Sequence, residues 1–494
     1  MTSSTRALIA MILAIGCLVT STGAQQPSTP YTLRLTKERA ERFLAAWNTR
    51  APYVPGELIV KFREGAAPAT RTRALSVLRQ SSQISQVKVV GEALLLQTPG
   101  EPDPEAAAAV LLRQPEVEWA RPNYLRPLHA TPNDPSFDMQ WNFTLLGLPA
   151  AWDINPGANA GVRVAIIDTG VTTVTTTFTF RLWTGSRFEQ VPIPYRVNPD
   201  IATARILPGR DFVLWDGPVL DMNGHGTHVA GTALQETNNR QGVAGIAYGA
   251  TLLPLKACFG FWDFQIVLGM LDIPGFADAE LDGACDDVSV AEAIRYAADN
   301  GAQVINLSLG GPDPAPIQLD ALRYAVQKGV FVAIAAGNEF ADGNPVEYPA
   351  AYAPQLDGVV AVGAIGRSQR RAPYSSTGSY VDLAAPGGDF DDGGRDGIIW
   401  QVSLFFPDFF PAPEVIRPRF DRYQEIGEAG TSMAAPHVAG LAALVRSQGI
   451  TNAAAIEAAM KQFAIDLGVA GRDNEFGYGL INPRATLRGM GLLR

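Results

Sequence analysis

From about residue 133 onward, short aliphatic runs alternate with stretches of helical period. The runs at 162–167, 251–256, 304–309, 330–335 and 359–362 are apolar on both faces, as in strands buried on both sides. Between them, residues 290–299 and 319–328 repeat their apolar positions every three to four residues, and 438–445 continues a longer helix. Strands alternating with helices predict a mostly parallel sheet with helices on both faces. Residues 51–126 follow another pattern. A strand at 57–62 precedes an amphipathic helix at 70–78, and a strand pair at 87–90 and 93–97 turns at Gly91 and Glu92. Asp103 caps a second helix with Pro104 at its first position, and a last strand spans 117–119. The order β-α-β-β-α-β is the ferredoxin-like α+β pattern. Residues 38–47 are helix-prone, and the Pro-rich stretch 121–135 reads as a linker.

Composition narrows this picture. A chain of 494 residues accommodates one large α/β domain and an appendage. The net charge of −10 speaks against a nucleic-acid partner. Residues 25–130 carry 14 Lys/Arg against 10 Asp/Glu, and residues 131–494 carry 24 against 39, so the two parts have opposite sign and attract. At the N-terminus, Arg6, an apolar stretch at 7–19 and the small residues Thr22, Gly23 and Ala24 form a secretory signal cleaved before Gln25. Lipid attachment at Cys17 is the alternative, but Ala14 stands where that signal favours Leu. No later stretch is long and apolar enough to cross a membrane, so the expected destination is secretion. Signal removal leaves Cys258 and Cys285. In an exported protein an even pair favours a disulfide, closing a loop of about 28 residues and contributing roughly 3 kcal/mol. Two separate buried thiols remain the alternative.

Four positions carry candidate chemistry. Asp168 ends an aliphatic run, where open α/β sheets place their sites, although Asp-Thr-Gly is also an ordinary turn. His225 lies between Gly224 and Gly226, which leave its ring open for general-base work. With His228 it has the i, i+3 spacing of a metal pair. No Glu lies between them and no third ligand cluster follows, so zinc does not fit and His228 reads as a core residue. Ser432 opens the long helix. A serine there is ordinarily an N-cap, but beside a base it becomes a nucleophile, with helix N–H groups favouring nearby negative charge. Asn338 follows Ala335, Ala336 and Gly337. It is a turn residue by default and an oxyanion donor if the other three converge.

Taken together, Ile166-Ile167-Asp168-Thr169-Gly170, His225-Gly226-Thr227-His228 and Gly430-Thr431-Ser432-Met433-Ala434 stand in the chain order known for subtilisin. In type, order and surroundings they resemble the subtilisin-like serine protease family over nearly all of residues 131–494. The resemblance implies a three-layer α/β fold with a central, mostly parallel sheet, preceded by a small ferredoxin-like α+β propeptide. The implied division is a signal peptide at 1–24, a propeptide at 25–130 and a peptidase domain at 131–494. It implies Asp168 as acid, His225 as base, Ser432 as nucleophile and Asn338 as oxyanion donor. Ser308, Leu309, Gly310 and Gly311 match the segment that pairs with substrate backbone. Glu339 would place a carboxylate at the base of the primary pocket and admit basic residues. Thr131-Pro132-Asn133-Asp134-Pro135 resembles the mature start of thermitase-like members. Asn239 lies in a segment resembling the family's calcium loop, with Asp134 and Asp200 at its carboxylate positions, so structural Ca²⁺ is expected and no organic cofactor.

The implied protein is a self-processed, monomeric endopeptidase whose partners are protein or peptide substrates and its own propeptide. An inactive homologue that binds peptides is the alternative; its signature would be loss of one of the four residues, and none is lost. Three stretches depart from compact members, at 172–200, 259–284 and 389–425. The first has a hairpin pattern around Thr184, Gly185 and Ser186, the second is tied at its base by the two cysteines, and the third combines acidic 389–396 with aromatic 405–410.

Overall fold

The computed structural model describes residues 36–49, 53–79, 85–98, 104–125, 131–275, 283–405 and 418–489. The signal segment with Cys17, Asp103 and most of the aromatic run 405–410 lie outside the described residues. The chain divides into two compact units, residues 1–128 and 129–494.

In the first unit, strands β1 (Tyr53–Phe62), β2 (Ser85–Val90), β3 (Ala93–Gln97) and β4 (Val117–Tyr124) form one antiparallel sheet in the order β2-β3-β1-β4. Helices Pro68–Arg79 and Pro104–Leu112 supply Ala74, Leu78, Ala107 and Leu111, which pack on Leu58, Val60 and Phe62 of β1. Alternation along β1 places these three inward. Glu57 is also fully buried, held by Arg39 of helix Lys37–Thr49 (2.8 and 3.2 Å) and by the Asn123 amide (2.7 Å). The expected linker begins later than its proline content suggests. Residues 121–124 continue β4, with Pro122 opposite Leu58. β4 is an edge strand, so a residue without an N–H is tolerated there.

The second unit begins its sheet with β5 (Arg163–Asp168), followed by a hairpin of β6 (Thr176–Trp183) and β7 (Phe188–Tyr195). Then come β8 (Arg210–Asp211), β9 (Thr251–Lys256) and a short pair, β10 (Cys258–Phe259) and β11 (Ala284–Cys285). β12 (Val304–Leu307), β13 (Phe331–Ala335), β14 (Val359–Ile365) and β15 (Leu383–Pro386) follow, and β16 (Ile399–Leu404) pairs with β17 (Tyr423–Glu428). Seven of these strands make one sheet, ordered β15-β14-β13-β12-β5-β9-β8, with every pairing parallel.

Each central strand feeds two cores. Val164 and Ile166 of β5 pack on one face with helices His225–Leu234 and Thr431–Ser447. Ala165 and Ile167 pack on the other with helices Asp287–Asp299 and Pro316–Gln327. The uninterrupted apolar runs follow from this sandwiching, because neither side of the sheet meets water. The three layers are those of a subtilisin-like α/β fold.

A smaller core lies apart from both faces. Leu182 of β6, Val191, Ile193 and Tyr195 of β7, Ile266, Leu404 and Phe420 pack with Leu220 and Met222. All three departures from the compact pattern therefore share one apolar cluster, and it reaches the segment just before His225. Phe420 stacks on Tyr195 (5.2 Å between ring centres) and meets the edge of Trp262 (6.2 Å). Helix Phe261–Met270 lies against β6 at Gly269, where an added Cβ would come within 1.9 Å of the Arg181 carbonyl oxygen.

Candidate active site

β5 is central in the sheet, and Asp168 ends it, nearly fully buried. The Asp168 Oδ1 accepts the Thr169 N–H and is 2.7 Å from His225 Nδ1. Oδ2 is buried and meets no donor among the described residues. Burial works against protonation of the imidazole. Attraction to Asp168 and the hydrogen bond with it outweigh this, with help from Glu428 and Asp221, and hold the His225 pKa above its ordinary value.

His225 is the first residue of helix His225–Leu234, with Gly224 as its left-handed cap (φ 103°). Gly226 is required by space: an added Cβ would meet the Gly170 carbonyl oxygen at 2.3 Å and Asp168 Oδ1 at 3.1 Å. The loop before the helix is pinned by Asp221, a residue the sequence reading missed. Its carboxylate accepts the N–H groups of Asn223, Gly224 and Thr227 and the hydroxyls of Thr169 and Thr227. It therefore ties the residue after Asp168 to the segment carrying His225. The Asp-Met-Asn-Gly turn pattern was the available signal. His228 is fully buried beside the Ile399 and Ile426 carbonyls, as a core histidine should be.

Ser432 is the second residue of helix Thr431–Ser447, and the N-cap is Gly430 rather than the serine. Its hydroxyl donates to the Ser308 carbonyl at 3.3 Å, and its own carbonyl accepts the Ser308 hydroxyl at 2.7 Å. Among the described residues it forms no hydrogen bond with the His225 ring. Two contacts thus hold the serine against the start of the Ser308–Gly311 segment, which continues from β12.

Asn338 follows β13 and is exposed. Its Oδ1 accepts both the backbone N–H (2.8 Å) and the hydroxyl (2.9 Å) of Thr431. The Thr431 oxygen in turn accepts the Gly337 N–H at 3.2 Å. This network fixes the amide orientation and leaves Nδ2 as the outward donor, 3.5 Å from where a Cβ on Gly430 would stand. Thr431 was not singled out in the sequence, although it is adjacent to Ser432.

The cleft has a volume of about 410 Å³. Asp168, His225, Gly310, Gly311 and the Cys258–Cys285 disulfide are among the residues that line it, and Ser432 and Asn338 are not. Register places those cysteines opposite each other on β10 and β11. Glu339 accepts the Asn338 N–H at 2.6 Å through Oε2, next to that donor and not within the cleft lining.

The expected calcium residues converge elsewhere. Asp134 accepts the N–H groups of Asn238 (2.9 Å) and Asn239 (3.2 Å). Asp200 accepts the Asn239 amide (2.7 Å) and the Val243 N–H (3.1 Å), while Asn239 Oδ1 accepts from Gln241 N–H. Both carboxylates are buried. Burial pushes Asp200 up to about 7, and Asp134 adds to the effect. Among the described residues no Lys or Arg forms an ion pair with either acid, and two such buried carboxylates fit a hard, oxygen-seeking cation.

The described pieces supply an imidazole on a buried carboxylate, a serine at a helix start and an oriented amide donor. Comparison with known proteins gives the family. The Subtilase family model (peptidase S8) matches residues 159–479, and the model for the fervidolysin N-terminal prodomain matches residues 40–123. The chain is 34% identical to the thermophilic serine proteinase of Bacillus sp. (strain AK1), across 88% of this chain and 87% of that one. It is also 34% identical to thermitase of Thermoactinomyces vulgaris, across 68% of this chain and 91% of that one. Among solved structures, a protease from Pseudoalteromonas arctica PAMC 21717 aligns with a TM-score of 0.53 at 28% identity, covering 73% of this chain and all of that one. The chain belongs to the subtilase family, as a thermitase-like serine endopeptidase made with an N-terminal propeptide.

Proposed function

We propose that Asp168, His225 and Ser432 act as one catalytic unit, with Asn338 as the oxyanion donor. The observation that carries this reading is the 2.7 Å contact between His225 Nδ1 and buried Asp168. It fixes the tautomer that leaves Nε2 free to accept a proton. Ser432 Oγ then bonds to the carbonyl carbon of a peptide, and its proton passes to His225. Charge on the carbonyl oxygen is met by Asn338 Nδ2 and by the Ser432 N–H, which has no partner within the first helical turn. His225 returns the proton to the departing amine as the C–N bond breaks. A water, deprotonated by the same ring, releases the acyl group. Rotation of the Ser432 hydroxyl from the Ser308 carbonyl toward His225 precedes attack, since apo contacts of this kind tighten on binding.

The wider reading is a secreted zymogen. A signal at 1–24 directs export, residues 25–130 assist folding and block the cleft, and cleavage falls within 128–133. Opposite net charges of the two parts and the ferredoxin-like sheet of the first support this. The disulfide suits an oxidising compartment. Incubation with a fluorophosphonate probe tests the reading: the matured protein should label, and His225→Ala and Ser432→Ala should not. Ser432→Ala should also accumulate at full length; normal maturation of that variant would refute self-cleavage.

Asp134, Asp200 and Asn239 would hold a calcium ion that serves stability and takes no part in the reaction. The support is the unbalanced acid pair and the all-oxygen donor set. Chelation with EGTA should lower the melting temperature, and added Ca²⁺ should restore it, an effect that Asp200→Asn removes. A melting temperature indifferent to EGTA would reject the site.

A further inference from the structure

Thr169 stands between the acid and the base, and each of its polar groups is held. Its N–H donates to Asp168 Oδ1 at 2.7 Å, the same oxygen that meets His225 Nδ1. Its hydroxyl donates to Asp221 and accepts the N–H of Gly226, next to His225. Its carbonyl accepts the Lys256 ammonium at 2.6 Å. Lys256 ends β9, paired in register with Asp168 at the end of β5. Its side chain is fully buried, so its charge needs a partner. That partner is Asp263, equally buried, with Oδ1 3.1 Å from Nζ.

Asp263 comes from outside the seven-stranded sheet. It lies in the first turn of helix Phe261–Met270, within the 259–284 stretch that departs from the compact pattern, and its Oδ2 accepts the Gly260 N–H at 2.8 Å. Ile266 of the same helix packs with Leu182, Val191 and Ile193 of the β6–β7 hairpin. Three further acids stand around the pair: Asp168, Asp211 of β8, and Asp221 of the loop before His225. The Tyr195 hydroxyl of β7 also faces Asp263. The groups facing the His225 ring are Asp168, Asp221, Glu428 and His228. A lysine left without Asp263 would still face these other acids, and would have lost the one that aims it.

We propose that Asp263, contributed by the inserted helix, is a positioning residue for the catalytic acid and acts through Lys256 and Thr169. The inference rests on the catalytic reading above. Held by Asp263, the Lys256 ammonium is aimed at the Thr169 carbonyl, and the fixed peptide keeps Asp168 Oδ1 turned to His225. The pair also balances charge. Its negative end offsets its positive end, so the imidazolium formed during attack meets no net repulsion from it. Loss of Asp263 alone has two effects. The lysine turns toward another acid and Thr169 shifts with it. An unpaired positive charge also remains beside the Asp168 turn and lowers the pH at which His225 gives up its proton. Loss of both partners cancels the second effect and keeps the first, because nothing then holds the Thr169 carbonyl.

The experiment measures kcat, KM and melting temperature across pH with an uncharged peptide. It compares the wild type, Asp263→Asn, and Asp263→Asn combined with Lys256→Met; the new amide still accepts the Gly260 N–H. Asp263→Asn should lower kcat by about 10–100-fold with KM little changed, the scale of a misplaced catalytic group. Its kcat/KM midpoint should fall below that of the wild type. The double variant should regain melting temperature, because no buried charge is left unpaired. Its midpoint should return to the wild-type value while kcat stays low. Wild-type kcat in folded Asp263→Asn, or a double variant that regains kcat together with melting temperature, overturns the positioning role and leaves the pair a stabilising one. A midpoint common to all three proteins overturns the charge balance. Should Asp263→Asn fail to fold, the kcat of the double variant decides. Fluorophosphonate labelling of the same preparations separates the two levels. A labelled wild type with unaltered kinetics in the variants defeats this inference alone, whereas a wild type that does not label defeats the catalytic reading beneath it.

Discussion

Two regions of the second unit are built on different principles. One is the seven-stranded sheet with its two core helices, which carries Asp168, His225, Asn338 and Ser432. The other is the cluster formed by the β6–β7 hairpin, helix Phe261–Met270 and the strand pair β16–β17. In the first, residues of opposite parity on one strand fill different cores, so a shift in register would expose apolar groups on both faces at once. The positions of strand ends, and of the groups on them, are thereby fixed. In the second, the hairpin buries only alternate residues on its inner side, and β6 leaves Thr177, Thr179 and Arg181 exposed. Such elements can be added to a rigid sheet without moving it. All four candidate catalytic residues lie in the first region and none in the second.

The largest break in this contrast comes from the scaffold side. Asp168→Asn keeps the shape of the strand end but removes the charge that orients and charges the His225 ring. Loss of kcat should be about 10⁴-fold, the scale known for this change in a Ser-His-Asp enzyme. The pH profile should move too. In the wild type, kcat/KM for an uncharged substrate should rise as His225 loses its proton, with the midpoint above about 6.5 because Asp168 favours the charged ring. In Asp168→Asn the midpoint should fall. A midpoint common to both proteins would show that the contact does not govern the ring.

A smaller effect, and one of different kind, is expected on the inserted side. Changing Cys258 and Cys285 together to Ser opens the base of the 259–284 segment, where Cys258, Gly283, Ala284 and Cys285 line the cleft. Stability should drop by roughly 3 kcal/mol under the loop-entropy account. Cleavage of extended peptides should weaken several-fold, while labelling by a small fluorophosphonate should proceed at the wild-type rate. Equal losses in both assays would mean that the insertion supports the scaffold itself and not only the cleft wall.

The same contrast explains what could be read from the chain. Ile166-Ile167-Asp168 and Gly430-Thr431-Ser432 were legible because strand ends and helix starts leave local marks in an aliphatic pattern. The hairpin around Thr184 was legible for its own turn chemistry. The contact of Phe420 with Tyr195 was not, since the two are joined only through a tertiary cluster. Asp221 was not legible, since its five donors come from residues at two separate places in the chain. The Gly311–Tyr348 pairing was not legible either, since no period in the sequence announces it. Pro122 misled for the opposite reason: a local breaker was overruled by its place on an edge strand.

The central claim is that Ser432 is made nucleophilic by His225. Its most direct test is to react the matured protein with a fluorophosphonate and locate the added mass by peptide mapping. A single adduct on Ser432, absent when His225 is replaced by Ala, is the predicted result. An adduct on another residue, or labelling of Ser432 at an undiminished rate without His225, would contradict it.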